Sequence, residues 1–134
     1  MKIDHIAIAV DNLDEAVELY ERILGLAVTH RERLADFEAD SATFELAGAA
    51  IELVQGTSEG SAIRKFVKAR GSAIHHIAFA VEDIDQALAD LKAKGVRLID
   101  ETPRRGKENS RVAFIHPEST QKILCELVQP EPEK

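Results

Sequence analysis

The sequence predicts an α+β fold in which two tandem βαβββ modules form a cupped mixed sheet. The first observation behind this prediction is an internal repeat. Residues 5–10, HIAIAV, match residues 76–81, HIAFAV, and the ELVQ of residues 52–55 recurs at 126–129. The second observation is that strand-like and helix-like patterns follow in the same order after each copy. Because the period is longer than that of solenoid units, it indicates a duplicated module.

The length of 134 residues is that of one ordinary domain. We therefore expect a single domain, 1–134, built of two repeats at 1–55 and 72–129. A helical pattern predicts a connector between them over 57–71.

Each repeat begins with a strand in which bulky apolar residues alternate with His or Ala. An Asn or Asp then leads into a helix of period 3.6, which ends near Gly25 in the first repeat and Gly95 in the second. The bulky strand face is expected to pack on that helix. Further strands are predicted at 26–33, 41–47, 49–55, 96–99, 111–115 and 122–128.

The composition excludes several classes of protein. Seventeen basic and 24 acidic residues give a net charge of −7, which argues against nucleic acid as the main partner. The sequence contains no apolar run approaching about 18 residues, so no membrane segment is expected. The single cysteine, Cys125, and the lack of a signal-peptide pattern at the start predict a protein of the reducing cytoplasm.

The repeat places a histidine on the first strand and a glutamate on the last strand of each half. If those two strands are close, small alanines face a cavity into which four polar groups converge. Two imidazoles and two carboxylates suit a divalent transition metal and leave two octahedral positions for substrate or water. A lone histidine on a strand is more often a satisfied core residue, but a repeated buried carboxylate is costly without a partner. The predicted metal ligands are His5, Glu52, His76 and Glu126.

Several stretches resemble the methylmalonyl-CoA epimerase family of the vicinal oxygen chelate (glyoxalase/bleomycin resistance) superfamily. The resemblance covers nearly all of residues 1–129. It is carried by KIDHIAIAV, SAIRKF, RGSAIHHIAF, GVRLIDETPR, FIHPEST and CEL, at 2–10, 61–66, 70–79, 95–104, 114–120 and 125–127.

The resemblance implies an isomerase that interconverts (2S)- and (2R)-methylmalonyl-CoA. A proton would leave and return at C2 through a metal-stabilised enolate. The family resemblance makes Glu126 both a metal ligand and an acid/base candidate. It also implies a homodimer that binds an acyl-CoA. Imidazole and carboxylate ligands suit cobalt, nickel, manganese or zinc, and cobalt is the preferred candidate among them.

The second acid/base group is a departure from the family pattern. Ser41 stands where some members carry a glutamate. Glu38, Asp40 and Glu45 are possible substitutes, and Glu45 is the preferred candidate because its alternation with Phe44 and Leu46 is compatible with a position facing the cup. An exposed strand residue is the commoner explanation of such a glutamate.

The loops at 104–110 and 121–122 contain fewer glycines than is usual in the family, which leaves less room for close backbone approach to a ligand and is compatible with a different acyl or CoA preference. Seven basic residues are candidate contacts for CoA phosphates, although a solvated surface explains them equally well. They are Arg64, Lys65, Lys68, Arg104, Arg105, Lys107 and Arg111.

Two other functions use the same fold. One is a glyoxalase I-like lactoylglutathione lyase, whose reaction also begins with removal of a proton beside a carbonyl. The other is a non-catalytic small-molecule binder, against which the presence of four metal ligands argues.

Overall fold

The computed structural model describes residues 1–132, and its chain divides into two compact units. One unit is formed by residues 5–75. The other consists of residues 1–4 together with the described residues from 76 to 132.

Eight strands and three α-helices form within residues 1–132. The strands are β1 (Lys2–Ala9), β2 (His30–Leu34), β3 (Ala39–Leu46), β4 (Ala49–Gly56), β5 (Ala73–Ala80), β6 (Arg104–Arg105), β7 (Arg111–Ile115) and β8 (Cys125–Gln129). The helices are α1 (Leu13–Leu24), α2 (Ala62–Arg70) and α3 (Ile84–Ala93). None of these helices has the length and apolar character that crossing a membrane requires.

The first unit has strands in the order β2-β3-β4-β1, with β1 and β4 parallel and the other pairs antiparallel. Helix α1 is capped at its N-terminus by Asn12, whose side chain accepts a hydrogen bond from the Glu15 amide, and at its C-terminus by Gly25 in the left-handed region. Its apolar side packs on one face of this sheet. The buried residues of that core are Val10, Leu13, Val17, Ala42, Phe44 and Leu53.

Helix α2 belongs to the same unit and packs on the opposite sheet face. Its Ile63 lies in a buried cluster with Ala9, Ala39 and Val54. Ala9 and Val54 lie on the same sheet face as His5 and Glu52. Ala9 comes further along β1 than His5, and Val54 comes further along β4 than Glu52. The predicted connector is therefore helical, and it covers one end of the face that carries the candidate ligands.

The second unit has the strand order β5-β8-β7-β6, again with one parallel pair, β5 and β8. Asp83 caps α3 by accepting from the Gln86 amide. The helix buries Ile84 and Leu88 against Ala113 and Leu127. The two units thus confirm the predicted α+β fold class with a duplicated βαβββ pattern in a mixed sheet.

The predicted strand at 96–99 is wrong. Val96 donates its amide to Leu91 at the end of α3, and only Leu98 forms an isolated bridge, to Ile115. Ile99 and Asp100 both donate to the carbonyl of Phe114, so the segment lacks a regular ladder. The corresponding edge strand is the short β6. The predicted strand at 26–33 also starts later, at His30.

Candidate active site

The first unit holds a buried histidine and glutamate on its two parallel strands. His5 lies on β1 and Glu52 on β4, and they are 3% and 4% exposed. His5 is opposite Ala50 and Glu52 is opposite Ala7, so all four side chains share one sheet face. The distance from His5 Nε2 to Glu52 Oε1 is 3.8 Å.

The second unit repeats this arrangement. His76 on β5 and Glu126 on β8 are 6% and 5% exposed. Ala78 lies opposite Glu126, as Ala7 lies opposite Glu52. The distance from His76 Nε2 to Glu126 Oε1 is 3.5 Å. In addition, the Phe114 ring packs edge-on against the His76 imidazole, with ring centroids 5.0 Å apart.

Both pairs have the chemistry and spacing of metal ligands. Metal-to-nitrogen and metal-to-oxygen bonds of about 2.0–2.2 Å place two ligands of one ion roughly 3 to 4.2 Å apart. The separations of 3.8 and 3.5 Å fall in that interval and are long for a direct hydrogen bond. His5 and Glu52 in the first unit, and His76 in the second, are each buried side chains of a type that ligates metal ions. The donor set fits a divalent transition ion, since imidazole and carboxylate are its usual protein ligands.

Strand β3 places a row of polar residues on the face of Glu52. The antiparallel register sets Ser41 opposite Val54, Thr43 opposite Glu52 and Glu45 opposite Ala50. Ser41 is buried and donates to the Glu32 carbonyl at 3.4 Å. Glu45 is exposed, near the end of the strand.

The other two candidate carboxylates on this part of the chain have partners of their own. Asp40 lies on the face opposite Ser41 and is paired with Arg33, which raises the pKa of that guanidinium. Glu38 accepts a 2.8 Å hydrogen bond from the Ser58 hydroxyl. Of the three substitutes considered for the second acid/base group, Glu45 alone is on the Glu52 face of β3.

Some of the basic residues proposed as CoA contacts form ion pairs with acidic side chains. Arg64 and Lys68 pair with Glu59 at 3.3 and 3.1 Å, and the Lys68 hydrogen bond is the main cause that lowers the pKa of Glu59. Arg111 makes a bidentate contact with Asp85 at 2.9 and 3.0 Å.

Sequence reasoning missed Thr43, which lies directly opposite Glu52. The alternation of polar residues at 41, 43 and 45 was visible, but the register that places one of them against the glutamate was not. It also missed Phe114, which occupies the equivalent position opposite Glu126.

The chain is similar to known proteins over nearly its whole length. Residues 4–114 match the model of the glyoxalase/bleomycin resistance protein/dioxygenase superfamily. The mitochondrial methylmalonyl-CoA epimerase of Dictyostelium discoideum is 36% identical, over 94% of this chain and 76% of that protein. The chain belongs to the methylmalonyl-CoA epimerase family of this superfamily.

Solved structures agree with this membership. A methylmalonyl-CoA epimerase from Mycobacterium tuberculosis is 41% identical with a TM-score of 0.94, and the match covers 98% of this chain and 89% of that one. A variant of the Streptomyces coelicolor epimerase in complex with 2-nitronate-propionyl-CoA is 36% identical with a TM-score of 0.95, covering 98% and 99%. Membership confirms the prediction of an enzyme of the epimerase class.

Proposed function

We propose that this epimerase interconverts the two C2 epimers of methylmalonyl-CoA with the help of one divalent metal ion. The observation that carries the proposal is the duplicated buried His/Glu pair, at 3.8 and 3.5 Å, on the parallel strands of each unit. The relatives named above as methylmalonyl-CoA epimerases support the choice of substrate.

His5, Glu52, His76 and Glu126 would together hold the ion. A bound divalent ion acts as a Lewis acid that polarises a carbonyl oxygen and so favours loss of the neighbouring proton. Each carboxylate is almost wholly buried, and an unpaired buried carboxylate costs several kcal/mol or more. Coordination to the ion would offset that cost for both glutamates, which lie opposite Ala7 and Ala78 on the parallel strands.

Glu126 is proposed to transfer a proton at C2 on one side of the substrate. It is surrounded on β5 and β7 by Ala78 and Phe114, so water has little access to its carboxylate. Exclusion of water strengthens the electrostatic influence of such a group on a reacting atom.

Epimerisation requires a second proton-transfer group on the opposite side. Glu45 is the candidate, because it shares the face of Glu52 and its exposed side chain is within reach of protons from solvent. Positioned acids and bases typically contribute about 10²- to 10⁴-fold to the rate.

Three further features belong to the same proposal. Cobalt is the proposed metal, with nickel, manganese and zinc as alternatives. The protein is proposed to be a cytoplasmic homodimer. The positive side chains of α2 and of the segment 104–111 are proposed to contact the phosphates of the acyl-CoA.

The test is an exchange experiment on the full-length protein loaded with Co²⁺. Incubation with (2S)-methylmalonyl-CoA in deuterated water should replace the C2 proton and produce the (2R) epimer, followed by NMR and by chiral analysis. Chelator-treated protein is the control and should be inactive until metal is restored. The proposal is wrong if no exchange occurs with Co²⁺, Ni²⁺, Mn²⁺ or Zn²⁺. Turnover of the methylglyoxal–glutathione hemithioacetal in its place would identify a glyoxalase I-like lyase.

A further inference from the structure

Thr43 is a buried hydroxyl residue directly opposite Glu52 in the β3–β4 register. Its side chain is 0% exposed, and its Oγ1 atom has no hydrogen-bond partner among residues 1–132. A buried hydroxyl without a partner is destabilising, and few native groups are left in that state without a reason.

Register and burial together limit what can serve as its partner. Side chains directly opposite on antiparallel strands have Cβ atoms about 4.5–5.5 Å apart, so rotation about χ1 brings the threonine hydroxyl within reach of the facing glutamate. Because the residue is fully buried, bulk solvent does not reach its hydroxyl. The Glu52 carboxylate is the acceptor that the register places next to it.

The second unit shows what this position looks like without a hydroxyl. Phe114 lies opposite Glu126 in the same relation, and its ring fills space against His76. An apolar side chain therefore satisfies packing at this point of the duplicated fold. The hydroxyl of Thr43 is a feature of the first unit that packing does not require.

We propose that Thr43 is a positioning residue, which donates a hydrogen bond to the Glu52 carboxylate and fixes its orientation when Glu52 ligates the divalent ion. This inference rests on the metal site proposed above. Neighbours that hydrogen-bond a ligating carboxylate fix its direction, and their loss typically weakens metal affinity by about 10- to 100-fold.

The experiment compares Thr43→Val with Thr43→Ser in the full-length protein. Chelator-treated samples are titrated with Co²⁺, and its visible absorption and the rise in Tm are recorded. Thr43→Val should bind Co²⁺ about 10- to 100-fold more weakly. Its metal-free Tm should equal or exceed that of the original protein, because the change removes an unpaired buried hydroxyl. Thr43→Ser should keep the Co²⁺ affinity although it loses a methyl group from the packing.

Ser110→Ala is the matched control. Ser110 Oγ is also buried and without a hydrogen-bond partner in the described part of the chain, but Ser110 precedes β7 and does not face a glutamate. This variant should leave the Co²⁺ affinity unchanged.

Each alternative result has a separate meaning. Equal Co²⁺ affinity in Thr43→Val and the original protein overturns the role of Thr43 and leaves the metal site standing. A Thr43→Val protein whose metal-free Tm falls along with its affinity shows a packing role and also overturns the inference. If the original protein binds no Co²⁺, the proposed metal site itself fails.

Discussion

The side-chain oxygen Oε1 of Gln55, near the end of β4, accepts a 2.7 Å hydrogen bond from the backbone amide of Leu13, the first residue of α1. The duplicated residue makes the same contact in the other unit, where Gln129 accepts a 2.9 Å bond from the amide of Ile84 at the start of α3. Each ELVQ segment therefore supplies a candidate metal ligand and also a hydrogen-bond acceptor for the helix that packs on its opposite face. This hydrogen bond satisfies an N-terminal amide of the helix that has no partner inside the helix.

Replacing Gln55 with leucine should destabilise the first unit by about 1–2 kcal/mol, because a partly buried amide loses its acceptor. Urea denaturation followed by circular dichroism measures the change. Gln55→Glu is the control, since it retains an acceptor and places negative charge at a helix N-terminus, where it is favourable. Equal destabilisation by both variants would show that the shape of the amide side chain, and not its oxygen, matters.

The duplicated strands and helices could be predicted from the sequence because apolar residues recur at every second position along a strand and about every 3.6 positions along a helix. Phe44 and Leu53 were predicted to lie on strands, and both are fully buried against α1. The same alternation places His5 on the face opposite Ile6 and Ile8, and Glu52 on the face opposite Ile51 and Leu53.

Features that depend on register and on strand ends could not be predicted. The relation of Thr43 to Glu52 requires knowing how β3 and β4 are aligned, and a slip of one residue would have turned Thr43 to the other face. The exposure of Glu45 depends on its place beside the turn that ends β3. The absent strand at 96–99 reflects competition from the end of α3, where the Leu91 carbonyl takes the amide of Val96.

Removal of either proposed histidine ligand should abolish metal retention and turnover. In His5→Ala and His76→Ala, one of four proposed ligands is lost, and Co²⁺ content measured by mass spectrometry after desalting should fall to background. His30→Ala is the control, because His30 contacts Glu32 at 2.9 Å on β2 and has no proposed role. Full metal occupancy in His5→Ala or His76→Ala would contradict the ligand assignment.

The roles of the two proposed proton-transfer groups, Glu45 and Glu126, should be distinguishable by comparing isotope exchange with metal content in variants of each. Glu45→Gln should lower kcat by about 10²-fold or more and slow proton exchange on one epimer while leaving Co²⁺ content unchanged. Glu126→Gln should lower both turnover and metal content, because Glu126 is proposed to have two roles.

Asp40→Asn and Glu38→Gln provide the controls for that comparison, since Asp40 is paired with Arg33 and Glu38 accepts from Ser58. Both should retain kcat. If Glu45→Gln behaves like these controls, the second acid/base group lies elsewhere in the chain.

The Asp85–Arg111 contact should make the stability of the second unit sensitive to acid. Hydrogen bonding to Arg111 is the main cause that lowers the pKa of Asp85 in the folded protein. A carboxyl group whose pKa is lower in the folded protein than in the unfolded chain, where it is about 3.9, stabilises the fold fully at any pH above the unfolded pKa. It loses that contribution as the pH falls through the folded pKa.

Asp85→Asn should therefore lower Tm at pH 7 and have less effect on Tm at pH 2 to 3, measured by circular dichroism. Arg111→Gln should reproduce this profile, and the double variant should match either single one. A Tm difference between Asp85→Asn and the original protein that stays constant with pH would mean that the carboxyl contributes through packing and not through its charge.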